Sequence, residues 1–254
     1  MSSLVIDSLG RPQRILLIGG TSEIGLAIVS SLSTATTEVV LAGRDAVRMA
    51  AAAGALADCS AGVQVFEMDV TDSSGSSKTL NEIFTREVDI AIIAAGALPV
   101  QAAALADART ARSALEVNGY GAAAALLTCH EQMRNQGHGR LVALSSIAAA
   151  RPRPSNYIYG AGKAMLDFLC RGLVESPDPR VQVLLVRPGF VRTKMTAHMP
   201  TAPFATDPAT VAASVAAWSN KSRGSQIMWV PAVLQHVARV MSLLPLALLR
   251  KLDR

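Results

Sequence analysis

The chain has 254 residues, half of them hydrophobic, so it is long enough to bury a sizeable core in one large domain or two small ones. Its net charge of +5 is modest and its basic residues are scattered, which argues against a nucleic-acid-binding tail, so we expect no nucleic-acid partner. The three cysteines are widely spaced and the four histidines lack ligand spacing. We therefore expect neither a disulfide framework nor a metal site.

The sequence also bears on location. Residues 1–7 lack a basic region followed by a long apolar core, and no apolar run reaches the ~20 residues of a membrane span. We therefore expect no signal peptide and no transmembrane helix. This expectation places the protein on the cytoplasmic side or at the periphery of the inner membrane, with the periplasmic side left open.

Short β-branched or apolar segments alternate with longer Ala-rich segments, a pattern typical of α/β proteins with a parallel sheet. The predicted strands are Arg14–Ile18, Glu38–Ala42, Val63–Glu67, Ile90–Ala94, Arg140–Leu144, Val181–Arg187 and Gln226–Val230. The predicted helices are Ile24–Ser33, Asp45–Ala57, Ser74–Arg86, Ala108–Asn135, Tyr157–Val174 and Pro208–Ser219. We expect one Rossmann-type, doubly wound sheet with helices on both faces across residues 1–230. Its ligands should bind beyond the carboxyl ends of the strands.

A glycine-rich segment follows the first predicted strand. Glycine lets the backbone turn sharply and approach a phosphate, and the next helix offers N–H groups and positive potential. The first βα turn of such a sheet is the usual dinucleotide site. An ordinary strand–helix turn is the alternative. The predicted cofactor contacts in this turn are Gly19, Thr21, Ser22, Glu23, Ile24 and Gly25.

The second strand leads into Arg44 and Asp45, where the adenosine ribose of a dinucleotide would lie. An arginine there accommodates the 2′-phosphate of NADPH, whereas an acidic residue bonds the free 2′-hydroxyl of NADH. Arg44 therefore favours NADPH, although Asp45 is able to reach a hydroxyl.

Later strands supply further cofactor candidates. Asp69 and Val70 follow the third strand and could contact the adenine, with helix capping as the alternative role for Asp69. Ala95 and Gly96 follow the fourth strand and are small enough for a ribose to pass over them, although tight helix packing also explains small residues there.

The segment Tyr159-Gly160-Ala161-Gly162-Lys163 places a tyrosine and a lysine on one face of a helix. A phenol has a pKa of about 10, and a nearby cation favours its ionised form. We therefore expect Lys163 to lower the pKa of Tyr159 and to make it a better acid–base catalyst at neutral pH. Ser146 ends the fifth strand and could hold the same carbonyl oxygen.

Asn118 and Gly119 interrupt an otherwise Ala-rich and Leu-rich helix and oppose its helix propensity. A kink that turns a polar group inward would explain that cost. Such a group could hold a water behind Lys163 and begin a proton relay. The alternative is a packing glycine beside a solvent-facing asparagine.

Taken together, these motifs resemble the short-chain dehydrogenase/reductase family over residues 1–230. The resemblance implies a catalytic tetrad of Asn118, Ser146, Tyr159 and Lys163, in which Lys163 also binds the nicotinamide ribose. Glu23 stands where the family has a middle glycine, and Ala94-Ala95-Gly96 stands where it has Asn-Asn-Ala-Gly. The resemblance adds cofactor contacts after the sixth strand at Pro188, Gly189, Val191 and Thr193.

A narrower resemblance, over residues 17–28, 191–198 and 229–252, is to reductases of a polyprenyl-phosphate-linked keto-pentose. It implies reduction of a C2 ketone by NADH, which conflicts with the indication from Arg44, and a flavin oxidase partner that supplies the lipid-linked keto-sugar. The alternative functions are reduction of another lipid-linked or small ketone, and a catalytically silent protein that senses NAD(P). Arg151, Arg153, Arg192 and Lys194 are the candidate ligands for the substrate phosphodiester. Solvated loop charges are the alternative.

The segment 231–254 has apolar residues at helical spacing with basic residues among them, and Pro245 interrupts it. It could lie on an anionic membrane as a peripheral contact, or pack on the domain or at a subunit interface. By analogy with the family we also expect a homo-oligomer.

Overall fold

The computed structural model describes residues 11–221 and 224–243. Within these ranges seven parallel strands form one sheet in the order β3-β2-β1-β4-β5-β6-β7. The strands are β1 (Arg14–Ile18), β2 (Glu38–Gly43), β3 (Gly62–Glu67), β4 (Ile90–Ile93), β5 (Gly139–Leu144), β6 (Val181–Pro188) and β7 (Gln226–Val230). The strand order reverses between β1 and β4, so a ligand crevice opens at that point. The predicted doubly wound sheet is confirmed.

Helices cover both faces of the sheet. They are α1 (Glu23–Leu32), α2 (Ala46–Leu56), α3 (Ser73–Ile83), α4 (Gln101–Ala106), α5 (Ala108–Leu115), α6 (Ala122–Gln136), α7 (Tyr157–Glu175), α8 (Pro208–Asn220) and α9 (Val233–Leu243). Local sequence fixes several ends. Ser22, Asp45 and Asp72 accept first-turn N–H groups at the starts of α1, α2 and α3. Gly137 ends α6 with a φ of 91°, a conformation that glycine adopts without strain.

Alternation along the buried strands builds two cores, one on each face. Ile15 and Leu17 of β1 pack in the cluster that contains α1 and α8, whereas Leu16 and Ile18 pack in the cluster that contains α3, α6 and α7. A fully buried run of this kind is typical of a central parallel strand. The arrangement holds α1 and α7 firmly on opposite faces beside the crevice.

A buried polar cluster closes the amino ends of the strands. The Asp89 carboxylate accepts the N–H groups of Gln13 and Arg14 at 2.6 and 2.9 Å. The Arg14 guanidinium donates to the carbonyl of Ile83 at 2.6 Å. Arg140 of β5 donates to the hydroxyl of Ser219 at the end of α8 at 2.8 Å. These contacts tie strands and helices together at the edge of the sheet opposite the crevice.

The long helix predicted at 108–135 is present, with an interruption at the predicted kink. The single helix expected at 108–135 is α5 and α6 joined by a π-helical turn over Glu116–Gly121, and the short helix α4 precedes it. A π-turn inserts an extra residue, which places the helices on either side of Asn118 out of register. Asp107 separates α4 from α5 because its carboxylate caps α5.

The amphipathic segment predicted at 231–254 begins as α9, whose Leu234 is buried against the domain. The rest of that prediction, including the break at Pro245, lies outside the described residues, as does the N-terminal segment. Over residues 11–221 and 224–243, every helix is either too short or too polar to cross a membrane.

Candidate active site

A cleft of about 990 Å³ opens at the carboxyl ends of β1, β2 and β4. It lies at the point where the strand order reverses, as expected for a dinucleotide site. Its predicted lining residues are Gly19, Thr21, Ser22, Glu23, Ile24, Arg44, Val70, Ala95, Gly96, Thr193 and Lys194; sequence reasoning missed Arg48, Met68 and Met195, which also line it.

The glycine-rich turn is pressed between the two neighbouring strands. The N–H groups of Gly19 and Gly20 both donate to the Ala42 carbonyl of β2, at 2.8 and 3.0 Å. Gly19 has a φ of 88°, and a Cβ there would meet the Ala95 backbone nitrogen at 2.7 Å. Only glycine fits this place. The turn therefore leaves the N-terminus of α1 facing the cleft, where a pyrophosphate fits.

Gly25 has a packing role, and its predicted cofactor contact stays a prediction. A Cβ at Gly25 would meet the Leu17 side chain at 2.6 Å, so this glycine allows α1 to pack directly on β1. It supports the cofactor cleft from behind.

At the adenosine end, Arg44 and Arg48 both line the cleft. Asp45 lines the cleft as well, and one oxygen of its carboxylate accepts the Arg48 N–H at 2.9 Å as the cap of α2. Asp69 uses a carboxylate oxygen in a local turn, where it accepts both the N–H and the hydroxyl of Thr71 at 2.9 and 2.8 Å. The charge available at this end is therefore mainly cationic.

Lys163 lies at the other end of the cleft. Its side chain is 4% exposed, and Nζ donates to the carbonyls of Leu144 at 2.9 Å and Ala95 at 3.4 Å. A Cβ on Gly96, which lines the cleft, would be 3.3 Å from this nitrogen. Burial lowers the pKa of Lys163 to about 8, so the amine is still mostly protonated at neutral pH.

Tyr159 stands one turn before Lys163 on α7 and is hydrogen-bonded to Ser146. Burial raises the pKa of Tyr159 to about 12, and the Ser146 hydrogen bond only partly opposes that shift. The expectation that Lys163 lowers this pKa was wrong. Desolvation of the phenolate dominates, and the ammonium group of Lys163 is directed to backbone carbonyls.

Asn118 is buried in the π-helical turn, as the predicted kink requires. Its amide nitrogen donates to the carbonyls of Ala97 and Ala114 at 2.6 and 2.8 Å, and its oxygen accepts the Ala97 N–H at 3.1 Å. The side chain thus fixes the segment that follows β4 beside the cleft. The relay role of Asn118 stays a prediction.

Two glycines between Tyr159 and Lys163 allow α7 to approach its neighbours. A Cβ at Gly160 would meet the Ala148 carbonyl oxygen at 2.8 Å, and one at Gly162 would meet the Asn118 Cβ at 2.8 Å. Close backbone approach on both sides therefore sets where the tyrosine and the lysine lie relative to Ser146 and Asn118.

Sequence reasoning missed a buried ion pair directly behind this site. Asp167, one turn after Lys163 on α7, accepts Arg187 Nε and Nη2 at 2.8 and 2.6 Å, and its Oδ2 also accepts the Ser145 hydroxyl at 2.7 Å. The Arg187 guanidinium lies 4.8 Å from the centre of the Trp229 ring. One carboxylate therefore joins α7 to the carboxyl ends of β5 and β6.

The residues predicted after β6 divide into two groups. Thr193 lines the cleft, whereas Pro188, Gly189 and Val191 lie behind it. The Gly189 N–H donates to the Val230 carbonyl at 2.9 Å. Val191 is buried and forms a β-bridge with Thr206.

Of the four predicted phosphodiester ligands, Lys194 lines the cleft, and Arg151 and Arg153 are partly exposed in the segment before α7. Arg192 differs, because it forms a two-bonded pair with Asp207, at 2.7 and 2.8 Å. That pairing offsets part of its charge, and the role of all four residues in binding a phosphodiester stays a prediction.

The comparisons with known proteins agree with this geometry. The sequence matches the family described as short chain dehydrogenase over residues 13–203. An uncharacterized oxidoreductase of Streptomyces coelicolor is 35% identical, over 97% of this chain and 98% of that protein. One from Mycobacterium tuberculosis is also 35% identical, over 94% of this chain and 97% of that protein.

Solved structures share the fold. A short-chain dehydrogenase from Sphingobium yanoikuyae, in complex with NADPH, superposes with a TM-score of 0.75 at 22% identity, covering 92% of this chain and 97% of that one. With the glycine-rich turn at the strand-order reversal and Ser146, Tyr159 and Lys163 gathered beyond β5, the chain belongs to the short-chain dehydrogenase/reductase family of NAD(P)-dependent oxidoreductases.

Proposed function

We propose that the protein reduces a ketone, and that the ketone is C2 of a polyprenyl-phosphate-linked keto-pentose, decaprenylphosphoryl-2-keto-ribose. The product would be decaprenylphosphoryl-arabinose, a precursor for arabinan in the cell wall. The observation that carries the ketone reduction is the hydrogen-bonded Ser146–Tyr159 pair with Lys163 one turn away, next to Gly96 of the cleft. The identity of the sugar rests on the narrower sequence resemblance.

The bound cofactor supplies the hydride. The Ser146 hydroxyl donates a hydrogen bond to the ketone oxygen, and Tyr159 transfers its proton to that oxygen as negative charge develops. A pKa of about 12 keeps the Tyr159 phenol protonated at neutral pH, which suits an acid in the direction of reduction. Lys163 holds the cofactor ribose beside Gly96 and brings a positive charge close to the reacting oxygen.

NADPH is the proposed cofactor. Arg44 and Arg48 line the adenosine end of the cleft, and Asp45, which also lines it, uses one carboxylate oxygen to cap α2. Two guanidinium groups suit the extra phosphate of NADPH. The narrower resemblance implies NADH, so the choice needs a direct test.

The double variant Arg44→Ala/Arg48→Ala should raise the KM for NADPH by about tenfold or more and leave the KM for NADH nearly unchanged, because a charge-assisted hydrogen bond contributes about 1.5–3 kcal/mol. Arg171→Ala, an exposed arginine on α7, is the matched control. Equal effects on both cofactors would contradict the assignment to NADPH.

The substrate proposal also implies a partner enzyme and a membrane contact. A flavin oxidase partner would supply the keto-sugar, and the lipid tail would require contact with a membrane surface. Lys194 in the cleft and the partly exposed Arg151 and Arg153 support recognition of a phosphodiester.

The experiment supplies the purified protein with the lipid-linked keto-ribose, made by a partner oxidase, and follows oxidation of NADPH and NADH together with the arabino product. Tyr159→Phe should lose about 10²–10⁴-fold in kcat with cofactor binding retained. Tyr157→Phe, an exposed tyrosine at the start of the same helix, should keep full activity.

Two results would overturn parts of the proposal. Full turnover by Tyr159→Phe would remove the tyrosine from the role of acid. No turnover of the lipid-linked sugar, by protein that binds a nicotinamide cofactor, would reject the substrate and redirect the search to other lipid-linked or small ketones.

A further inference from the structure

Glu23 makes a contact that the family resemblance does not account for. It is the first residue of α1, and its Oε2 accepts the backbone N–H of Lys194 at 2.6 Å. Both residues line the cleft, Glu23 from the glycine-rich turn and Lys194 from the loop that follows β6. The hydrogen bond therefore crosses from one wall of the cofactor cleft to the other.

The loop is anchored independently on its own side. The Arg192 N–H donates to the Thr206 carbonyl at 2.8 Å, and the Arg192 guanidinium pairs with Asp207. Further along, the Thr196 hydroxyl donates to the Val191 carbonyl at 2.7 Å. The short segment between these anchors contains Thr193, whose N–H donates to the Thr196 hydroxyl at 3.1 Å, and Lys194. The Glu23 contact is the one that fixes this segment to the opposite wall of the cleft.

The helix cap leaves the Glu23 carboxylate available for this purpose. Ser22 Oγ accepts the N–H of Gly25 at 3.2 Å and so caps α1. The carboxylate of Glu23 is directed away from its own helix and toward the loop. A negative group at a helix N-terminus is also favoured by the helix dipole. An acidic residue is thus tolerated at a place where a glycine would be expected to approach a phosphate.

We propose that Glu23 is a positioning residue that clasps the loop 192–196 across the cofactor cleft, holds Thr193 at the nicotinamide end and slows departure of the cofactor. The clasp rests on the nicotinamide-dependent activity of the family and does not depend on which ketone is reduced. It predicts that the rate of cofactor release depends on the hydrogen-bond acceptor at position 23.

The test measures cofactor release without a ketone, by stopped-flow displacement of bound NADPH, and of bound NADH, with an excess of the oxidised cofactor. Glu23→Ala and Glu23→Gly should release the cofactor about tenfold faster, since a hydrogen bond to a charged group is lost. Glu23→Gln keeps an acceptor and should stay within about threefold of the wild type. Glu131→Ala, on α6, is the control for loss of one negative charge.

A second measurement reads the loop directly. Trypsin cleavage after Lys194, followed without cofactor, should be faster in Glu23→Ala and Glu23→Gly than in the wild type and Glu23→Gln. Tm values of all variants report whether the fold is retained, as expected for a partly exposed residue.

The outcomes separate the clasp from simple repulsion. If Glu23 only repels the pyrophosphate, Glu23→Gln and Glu23→Ala would both release the cofactor more slowly, which would overturn the proposal. Unchanged release and unchanged cleavage in every variant would also overturn it. Failure of the keto-sugar assay would leave these measurements unaffected, because no ketone is present.

Discussion

Replacing Asp167 with asparagine tests the buried ion pair behind the active site. The side chains of Asp167 and Arg187 are only 8% and 12% exposed, and the carboxylate accepts two hydrogen bonds from the guanidinium and one from Ser145. Asparagine keeps the shape but removes the charge, so the guanidinium of Arg187 remains buried without a counter-ion. Breaking a buried pair in this way costs about 3–5 kcal/mol.

The assay is urea-induced unfolding followed by circular dichroism. The free energy of unfolding of Asp167→Asn should fall by about 3–5 kcal/mol. Ser145→Ala, which removes only the hydroxyl contact, should cost about 1 kcal/mol. The control is Glu175→Gln, which breaks the exposed Arg171–Glu175 pair on the same helix and should cost less than about 1 kcal/mol.

A double variant separates the loss of one charge from the loss of the whole ion pair. Asp167→Leu with Arg187→Met removes both charges and should recover most of the lost stability, because neither desolvation cost remains. Its kcat should still fall, because α7 loses its hydrogen bond to Ser145, the neighbour of Ser146 at the end of β5. An Asp167→Asn protein that unfolds within 1 kcal/mol of the wild type would refute this account.

Three other predictions follow from the same region. Gly162→Ala should destabilise the protein by about 1–3 kcal/mol and lower kcat, because its Cβ would meet Asn118 at 2.8 Å, whereas Gly172→Ala, with open space around it, should be neutral or stabilising in the same unfolding assay. For Lys163→Met, the free energy of unfolding is measured beside that of the wild type at pH 7 and at pH 10.5. The difference between the two proteins should change by about 3 kcal/mol from one pH to the other. In the folded protein the pKa of Lys163 is about 8, below its ordinary value of 10.5, so between these pH values the unfolded chain binds more protons than the folded one. The wild type therefore gains stability as the pH rises through this range, and the variant, which lacks the amine, does not. By analogy with the family we expect a homo-oligomer, and Phe168, which is 74% exposed, is the side chain expected in its interface. Phe168→Glu should therefore elute as a smaller species in size-exclusion chromatography. An unchanged elution volume would contradict that expectation.

The strands were predictable because each is a short apolar run that ends at a glycine, a proline or a polar residue. The observed bounds differ from the predicted ones by at most one residue at each end, as at Gly43 and Pro188. The glycine-rich turn was equally accessible, since a strand, a glycine-rich turn and an amphipathic helix occur together in the sequence.

The ion pairs could not be predicted from the sequence, because they depend on how helices, strands and loops pack against one another. Asp167 and Arg187 meet only because α7 packs across β6, and the partner of Arg192 comes from the far end of its own loop. The upward pKa shift of Tyr159 had the same origin, since burial cannot be read from the spacing of a tyrosine and a lysine.

The polar cluster around Asp89 and Arg14 lies at the amino ends of the strands, on the opposite edge of the sheet from the reactive side chains. Unlike the Asp167–Arg187 pair, which stabilises the fold from beside the active site, this cluster stabilises it without touching the reactive side chains. Substitutions near Asp89 should therefore change the thermal stability of the enzyme with little effect on turnover, whereas the loops at the carboxyl edge can diverge toward new ketones while the sheet is retained.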